Sequence, residues 1–182
     1  MIHSWWDGHQ CFPAYLNSFG IITGYKKIPG SSKFRIWDKD SNIWLTGIPD
    51  EILVREDMSH IILDYKTAKY TGAQDSLMPI YEVQLNSYAL IGETCELKPV
   101  TELALVYFEP LTDVETFSDN SNHRDDGFAL GFKANIHKVR LETAMIPPLL
   151  MRVREIYELN KVPEGKAGCK NCESLNNLIG LL

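Results

Sequence analysis

The sequence is poor in cysteine, lacks a long apolar run and carries no excess of positive charge. Four cysteines in 182 residues are too few for a disulfide-stapled secreted domain, so we expect them to be reduced or metal-bound. No stretch reaches the roughly 20 uncharged apolar residues of a membrane helix, and the first residues lack the basic-then-apolar layout of a signal peptide. These absences predict a soluble, cytoplasmic protein with no membrane contact.

The net charge of −6 argues against a protein whose whole surface adheres to nucleic acid, because such affinity comes from Lys and Arg replacing counterions on phosphates. An acidic balance is nevertheless compatible with a DNA enzyme. Such an enzyme needs carboxylates to bind its metal, and it can confine its basic residues to one groove.

The composition is that of a chain able to bury one sizeable core, since 45% of its residues are apolar. We find no internal repeat, low-complexity tract or long linker that would divide it. We therefore expect a single domain over residues 1–182, with a cysteine-containing C-terminal segment from about residue 163 to 182.

Alternating and turn-forming residues predict a β-hairpin, with strands at 33–37 and 43–45 around the turn 38–42. The second strand is expected to continue through Gly47 towards residues 53–54. Residues 60–66 (HIILDYK) are apolar on both faces until their polar end, which is typical of a central strand covered on both sides. The sheet should therefore lie between helices.

The later elements follow from periodicity and turn residues. The first is a helix over 79–91, which Gly92 is expected to end. One face of this helix is expected to be formed by Ile80, Val83, Ser87 and Leu90. The others are strands over 102–108 and 128–139, a polar loop over 118–127 and a helix over 147–159. Together these elements predict an α/β fold with a central mixed β-sheet flanked by helices.

Asp50 and Asp64 are predicted to lie on adjacent strands joined by a tight turn, which would bring two carboxylates together. Lys66 projects to the same side as Asp64, because side chains alternate along a strand. An aspartate and a lysine two residues apart are also common on solvated strand edges. Here, however, Asp64 ends an apolar run, and burying a charge is costly unless it is paired or metal-bound. Two carboxylates beside a lysine suit Mg²⁺ and the metal-activated water of phosphodiester hydrolysis.

Three segments, residues 47–50 (GIPD), 64–67 (DYKT) and 84–88 (QLNSY), occur in the order found in the RecB-like branch of the PD-(D/E)XK nucleases, which the sequence resembles. The resemblance implies a restriction-endonuclease-like core. It also implies a catalytic set of Asp50, Asp64, Lys66, Gln84 and Tyr88, with metal bound by Asp50, Asp64 and the backbone carbonyl of Tyr65.

The function implied by this resemblance is that of a Mg²⁺- or Mn²⁺-dependent deoxyribonuclease, exonuclease-like, that hydrolyses phosphodiester bonds with a metal-activated water. Its expected partners are DNA and a protein of a DNA repair, recombination, CRISPR or phage system. The alternative is a catalytically inactive nuclease-fold module for binding or assembly in a DNA-processing complex, since a fold does not fix its function. The intact set of aspartates and lysine argues against that alternative.

The cysteines resemble part of an iron–sulfur pattern. In iron–sulfur members of this branch, such as CRISPR-associated exonucleases and AddB-type recombination nucleases, one N-terminal and three C-terminal cysteines hold a cluster. Cys11, Cys169 and Cys172 match three of these positions, but no fourth cysteine follows Cys172, and Cys95 stands elsewhere. An incomplete cluster site, a zinc site completed by a histidine, or a C-terminus without metal remain alternatives.

Two N-terminal histidines, His3 and His9, are candidates for the additional metal ligand that this family often carries, although a lone histidine is more often solvated. The four tryptophans could stack on unpaired bases, but tryptophan more often buries its large ring. We predict that Trp37 and Trp44 lie in the core. A partner-binding role remains open for the adjacent pair at positions 5 and 6.

A basic strip for phosphate binding is a further hypothesis, although charge runs are usually solvated faces. Its members would be Lys66, Lys69, Lys133, Lys138 and Arg140.

Overall fold

Nine strands and four α-helices are found in the computed structural model, within the residues that it describes: 6–7, 11–28, 30, 32–72, 76–161 and 163–180. The strands are β1 (Ile22–Tyr25), β2 (Arg35–Asp38), β3 (Ile43–Thr46), β4 (Glu51–Arg55), β5 (His60–Lys66), β6 (Val100–Pro110), β7 (His123–Arg124), β8 (Gly127–Phe128) and β9 (Phe132–Val139). The helices are α1 (Met78–Thr94), α2 (Val114–Ser118), α3 (Ile146–Tyr157) and α4 (Lys170–Ile179). Short 3-10 helices cover Ala14–Phe19, Asn120–Asn122 and Thr143–Met145.

The central sheet has the strand order β1-β4-β5-β6-β9. Only the β5–β6 pair is parallel, and helix α1 lies in the connection between these two strands, as a parallel crossover requires. Two small sheets, β2–β3 and β7–β8, accompany it. This mixed sheet flanked by helices confirms the predicted fold class and is consistent with a restriction-endonuclease-like core.

Strand β5 separates two apolar clusters, because its buried residues alternate between the two faces of the sheet. On one face Ile62 packs with Leu85 of helix α1 and with Leu105 of β6. On the other face Ile61 and Leu63 pack against the 3-10 helix Ala14–Phe19 through its buried leucine and phenylalanine. Full burial of each such side chain stabilises the fold by about 1.5–3 kcal/mol. The buried position predicted for residues 60–66 is confirmed.

The predicted hairpin is also confirmed, since β2 pairs antiparallel with β3 in the register Trp37↔Trp44. The predicted continuation of the second strand through Gly47 is wrong, because β3 ends at Thr46 and β4 begins at Glu51 in a different sheet. Pro49 has no N–H to donate to a strand ladder, which favours a break at this point. The break is what carries the chain from the hairpin to the central sheet.

The expected burial of Trp37 and Trp44 is wrong. Their exposed fractions are 40% and 51%, because only the opposite face of the β2–β3 hairpin packs on the core, through Ile36 and Leu45. Only one face of this hairpin is covered by the core. Because side chains alternate along each strand, both indoles lie on the uncovered face.

Helix α1 covers the predicted range but runs on to Thr94, so Gly92 does not end it. Gly92 instead lies against Leu97, where an added Cβ would be 3.1 Å from a methyl carbon. The predicted stripe is partly wrong, because Ile80 is exposed while Leu85 and Tyr88 are buried. The mixed polarity of this helix left its buried face ambiguous in the sequence.

The C-terminal half departs from prediction in several places. The strand expected over 128–139 begins only at Phe132, and β8 is a separate two-residue strand. The loop 118–127 contains the 3-10 helix and most of the β7–β8 hairpin. Helices α2 and α4 were not predicted; the five residues of α2 and the ten of α4 are too few to be stable alone, and none of them is buried. None of the helices in the described residues is long and apolar enough to cross a membrane.

Candidate metal centre

The site begins at the carboxyl end of β5, where Asp64 and Lys66 project from the strand on the side of helix α1. Asp64 is 4% exposed, and its Oδ2 forms an ion pair with Nζ of Lys66. A carboxylate removed from water is tolerated when it is paired and hydrogen-bonded. Asp64 is buried because the apolar residues before it place the strand in the core up to its last two positions.

Asp50 reaches the same end of β5 from the neighbouring strand. It immediately precedes β4, and its Oδ2 accepts a hydrogen bond of 2.7 Å from the backbone N–H of Tyr65. The register Glu51↔Leu63 in the β4–β5 pair sets this approach. The predicted convergence of Asp50 and Asp64 at adjacent strand ends is therefore what the structure contains.

The electrostatics of Asp64 reflect both neighbours. Burial raises the pKa of its carboxyl group, while the hydrogen bond and positive charge of Lys66 lower it. The negative charge of Asp50, and a hydrogen bond to it, raise the pKa of Asp64 further. The two carboxyl groups are thus close enough to repel each other when both are ionised, and a cation between them would relieve this repulsion.

Helix α1 completes the site through one stripe of side chains. Nε2 of Gln84 donates to Oδ1 of Asp64 at 3.3 Å and to the hydroxyl of Tyr88 at 2.9 Å. The ring of Tyr81 lies 4.4 Å from Nζ of Lys66, close enough for a cation–π contact. Residues three, four and seven apart on a helix share a face, so these three side chains can reach the end of β5 together.

Tyr81 was missed by the sequence analysis. Its position three residues before Gln84 was the available signal, because i,i+3 spacing puts both side chains on the same helix face. Gln84 and Tyr88 lie where the resemblance predicted, beside the aspartate and lysine.

Gly47 allows helix α1 to approach the segment before Asp50. A Cβ added to Gly47 would lie 2.8 Å from Cδ1 of Tyr88 and closer still to Cε1. The tyrosine ring occupies the space that a side chain would need. The glycine of the GIPD segment therefore positions Tyr88, and through it the amide of Gln84.

The donor set fits a hard divalent cation. The carboxylates of Asp50 and Asp64, with the backbone carbonyl of Tyr65 that the resemblance implies, would offer oxygen ligands, which Mg²⁺ and Mn²⁺ prefer. In the described part of the chain, no group of three or more His, Cys, Asp or Glu side chains is placed to hold a metal. Two carboxylates and a carbonyl would leave ligand positions for water, which Mg²⁺ usually keeps.

Comparison with protein families gives a match between residues 14–175 and the model of the PD-(D/E)XK nuclease superfamily. The chain belongs to this superfamily. Among curated proteins, no significant match is found. PD-(D/E)XK proteins are generally nucleases that use Mg²⁺ or Mn²⁺, which agrees with the oxygen donors at the end of β5. The match is to the superfamily as a whole, so the RecB-like branch remains a prediction for this PD-(D/E)XK chain.

The cysteines show no metal site among the described residues. Cys11 is exposed at a cleft that is also lined by Trp6. Cys169 precedes helix α4. Hydrogen bonds from the backbone of Cys172 and, to a smaller extent, from its side chain lower the pKa of the Cys169 thiol. Cys95 lies apart, where its Sγ donates to the carbonyl of Lys33. These contacts give the iron–sulfur and zinc alternatives no support.

The N-terminal predictions fall largely outside the structure. His3, His9 and Trp5 lie outside the described residues. Trp6 stacks on Phe12 at 4.5 Å between ring centroids.

The hypothetical basic strip is divided by the sheet. Lys138 lies opposite Ala104, towards the other end of β6, and pairs with Glu102, while Arg140 pairs with Glu142 at 3.4 Å. Lys133 lies opposite Glu109, at the end of β6 where the site is found. Lys66 is thus at the site, and Lys133 lies at the same end of the sheet.

Proposed function

We propose that this PD-(D/E)XK protein is a Mg²⁺- or Mn²⁺-dependent DNA nuclease, exonuclease-like and of the RecB-like branch. The observation that carries the proposal is the convergence of Asp50, Asp64 and Lys66 at the end of one buried strand. Membership of a superfamily that generally consists of nucleases supports it.

Asp50, Asp64 and the backbone carbonyl of Tyr65 would hold the metal ion. A divalent cation, when bound, supplies Lewis-acid chemistry and lowers the pKa of water, which favours hydrolysis of a phosphodiester. Asp50 is already fixed by the N–H of Tyr65, and Asp64 by Lys66 and Gln84. This fixed arrangement lowers the cost of bringing the ligands together.

Lys66 would act on the substrate, because its ammonium lies beside the carboxylates and can donate to a phosphate oxygen. In that position it stabilises the negative charge that develops on the phosphate and helps to orient the attacking water. The ring of Tyr81 and the carboxylate of Asp64 keep the ammonium at the site. Gln84 and Tyr88 hold Asp64 in place through their shared hydrogen bonds.

The first prediction is that Lys66→Ala abolishes cleavage but leaves metal binding nearly intact, because lysine is not a metal ligand; the metal-free variant should be less stable than wild type, since the buried Asp64 loses its ion-pair partner. Cleavage is measured on labelled single- and double-stranded DNA with and without Mn²⁺, and metal binding by calorimetry. The matched control is Lys161→Ala, which removes an exposed lysine after helix α3 and should keep full activity.

Unchanged cleavage by the Lys66 variant would contradict the proposed role of the lysine. A wild-type protein that binds DNA and Mn²⁺ but cleaves no substrate would overturn the nuclease proposal in favour of an inactive binding or assembly module.

A further inference from the structure

The exposed face of the β2–β3 hairpin carries a row of three side chains that we name the aromatic ladder: Arg35, Trp37 and Trp44. The two indole rings lie directly opposite each other, with centroids 5.3 Å apart and planes inclined by 53°. Cζ of Arg35 lies 4.3 Å from the centroid of the Trp44 ring. The ladder is thus a pair of open aromatic faces with a cation at one end.

The ladder is not part of the core. Ile36 and Leu45 point to the opposite face and pack against the main apolar cluster, while both indoles remain about half exposed. Tryptophan usually buries most of its large ring, so two neighbouring exposed indoles indicate a binding surface.

The polar surroundings of the ladder favour an anionic partner. Asp38 ends strand β2 but points to the covered side, where its carboxylate accepts a 2.9 Å hydrogen bond from the N–H of Ser41. The strand positions on the open face are Arg35, Trp37, Trp44 and Thr46, none of which is acidic. The only charge on this face of the two strands is therefore the guanidinium.

The ladder is connected to the candidate metal centre by a short segment of chain. Its base is the pair Arg35↔Thr46, and Thr46 stands four residues before Asp50. Four residues span at most about 14 Å, so the Cα of Thr46 lies no further than this from the Cα of Asp50. Gly47, between them, packs against Tyr88 of the site.

We propose that the aromatic ladder binds the unpaired bases of a single-stranded nucleic acid whose backbone leads to the metal centre. The proposal rests on the proposed nuclease function and gives its substrate class. Bases stack on exposed indoles without regard to sequence, and Arg35 can contact the adjoining phosphates. Bases within a duplex already stack on one another, so the ladder should discriminate against double-stranded substrates.

The test measures binding of fluorescein-labelled oligo-dT by anisotropy in EDTA, where a metal-dependent nuclease cannot cleave. Trp37→Leu and Trp44→Leu should each raise the Kd by roughly tenfold, whereas Trp44→Phe, which keeps an aromatic face, should stay close to wild type. Arg35→Gln should also weaken binding and reduce its salt dependence. Affinity for a blunt duplex should not change with the indoles.

The matched control is Phe128→Leu, which removes an exposed ring from the other small hairpin, where its centroid lies 6.1 Å from that of Phe117. This variant should bind oligo-dT like wild type. Thermal unfolding of every variant confirms that it is folded; if Trp44→Leu fails to fold, Trp37→Leu and Arg35→Gln carry the test.

Several results would overturn the proposal: no binding of oligo-dT by wild type, unchanged affinity in the leucine variants, or an equal loss for duplex or for Phe128→Leu. Concentration-dependent dimerisation that the indole variants abolish would instead assign the ladder to self-association. Failure of the nuclease proposal is distinguishable, because it is read from cleavage with Mn²⁺ and not from binding in EDTA.

Discussion

Asp64 is a buried carboxylate with one positive partner, Lys66, and one negative neighbour, Asp50. Its raised pKa means that ionisation is less favourable in the folded protein than in the unfolded chain. The free energy of unfolding therefore falls as the pH rises above the ordinary carboxyl range, and this loss of stability is present at neutral pH. Lys66 offsets part of it, and a divalent cation would offset more.

The second prediction is that Mg²⁺ or Mn²⁺ raises the Tm of the wild-type protein, because the ion binds the folded state preferentially. Asp64→Asn should abolish this shift, and the metal-free variant should be at least as stable as wild type because the buried charge is gone. Thermal unfolding with and without Mn²⁺ measures both effects.

Asp125→Asn, in the β7–β8 turn, is the matched control and should retain the metal-induced shift. If Asp64→Asn shows the same shift as wild type, Asp64 is not a ligand and the metal centre is assigned to the wrong residues.

At the scale of elements, the site depends on how closely helix α1 approaches the chain before β4. The contact of Gly47 with the ring of Tyr88 sets this distance, and Tyr88 in turn holds Gln84 against Asp64. A displacement of about 1 Å in a catalytic arrangement can cost on the order of a hundredfold in rate.

The third prediction is that Gly47→Ala lowers DNA cleavage by at least about tenfold, because the new methyl group displaces Tyr88 and the amide that it holds. Cleavage rates and circular dichroism, measured on the same sample, separate a displaced site from an unfolded protein. Gly24→Ala in β1 is the control, since an added Cβ there would meet no atom within 4 Å. Equal activity of the two alanine variants would show that the close approach does not matter.

Elements with a strong local pattern could be predicted from the sequence. Strand β5, the β2–β3 hairpin and helix α1 are examples, because burial on both faces, turn residues and a proline near the helix start are all local signals. The approach of Asp50 to Asp64 could be predicted because both were expected on adjacent strands joined by a tight turn.

The exposure of Trp37 and Trp44, by contrast, could not be predicted from the sequence. Alternation shows that both indoles share a face, but only the packing of Ile36 and Leu45 determines which face is covered. The contact of Tyr81 with Lys66 depends in the same way on where helix α1 crosses the end of β5. Tertiary placement of an element carries information that its own residues do not.

At the scale of the whole molecule, stability should depend on pH through His60, which begins β5 at the end away from the site. The ring is buried, and burial lowers the pKa of His60. Carbonyl groups of Leu97 and Pro99 oppose this effect only in part, and the charge of Lys26 adds to it. The folded protein therefore holds the neutral ring, with its full stability above the unfolded pKa of about 6.5 and a loss as the pH falls below it.

The fourth prediction is that the Tm of wild type falls more between pH 7 and pH 5 than the Tm of His60→Leu, which has no ring to protonate. Calorimetric or circular dichroism melts across this range measure the slope. His123→Leu removes an exposed imidazole and should keep the wild-type slope. Parallel slopes for wild type and His60→Leu would contradict a buried neutral histidine.

The long connection between β6 and β9 leaves and re-enters the sheet at one edge. Pro110 lies opposite Phe132 there, and the same edge holds Lys66, which is in register with Tyr107. Leu111 and Gly131, the two ends of the connection, thus lie beside this edge, where the N–H of Leu111 donates to the carbonyl of Gly131, while the spacing of Asp50 and Asp64 is fixed by the separate β4–β5 hairpin. Insertions or deletions next to Leu111 and Gly131 can alter which substrates reach the edge without moving the carboxylates, so these two junctions are where descendants of the chain can diverge in selectivity while their chemistry is retained.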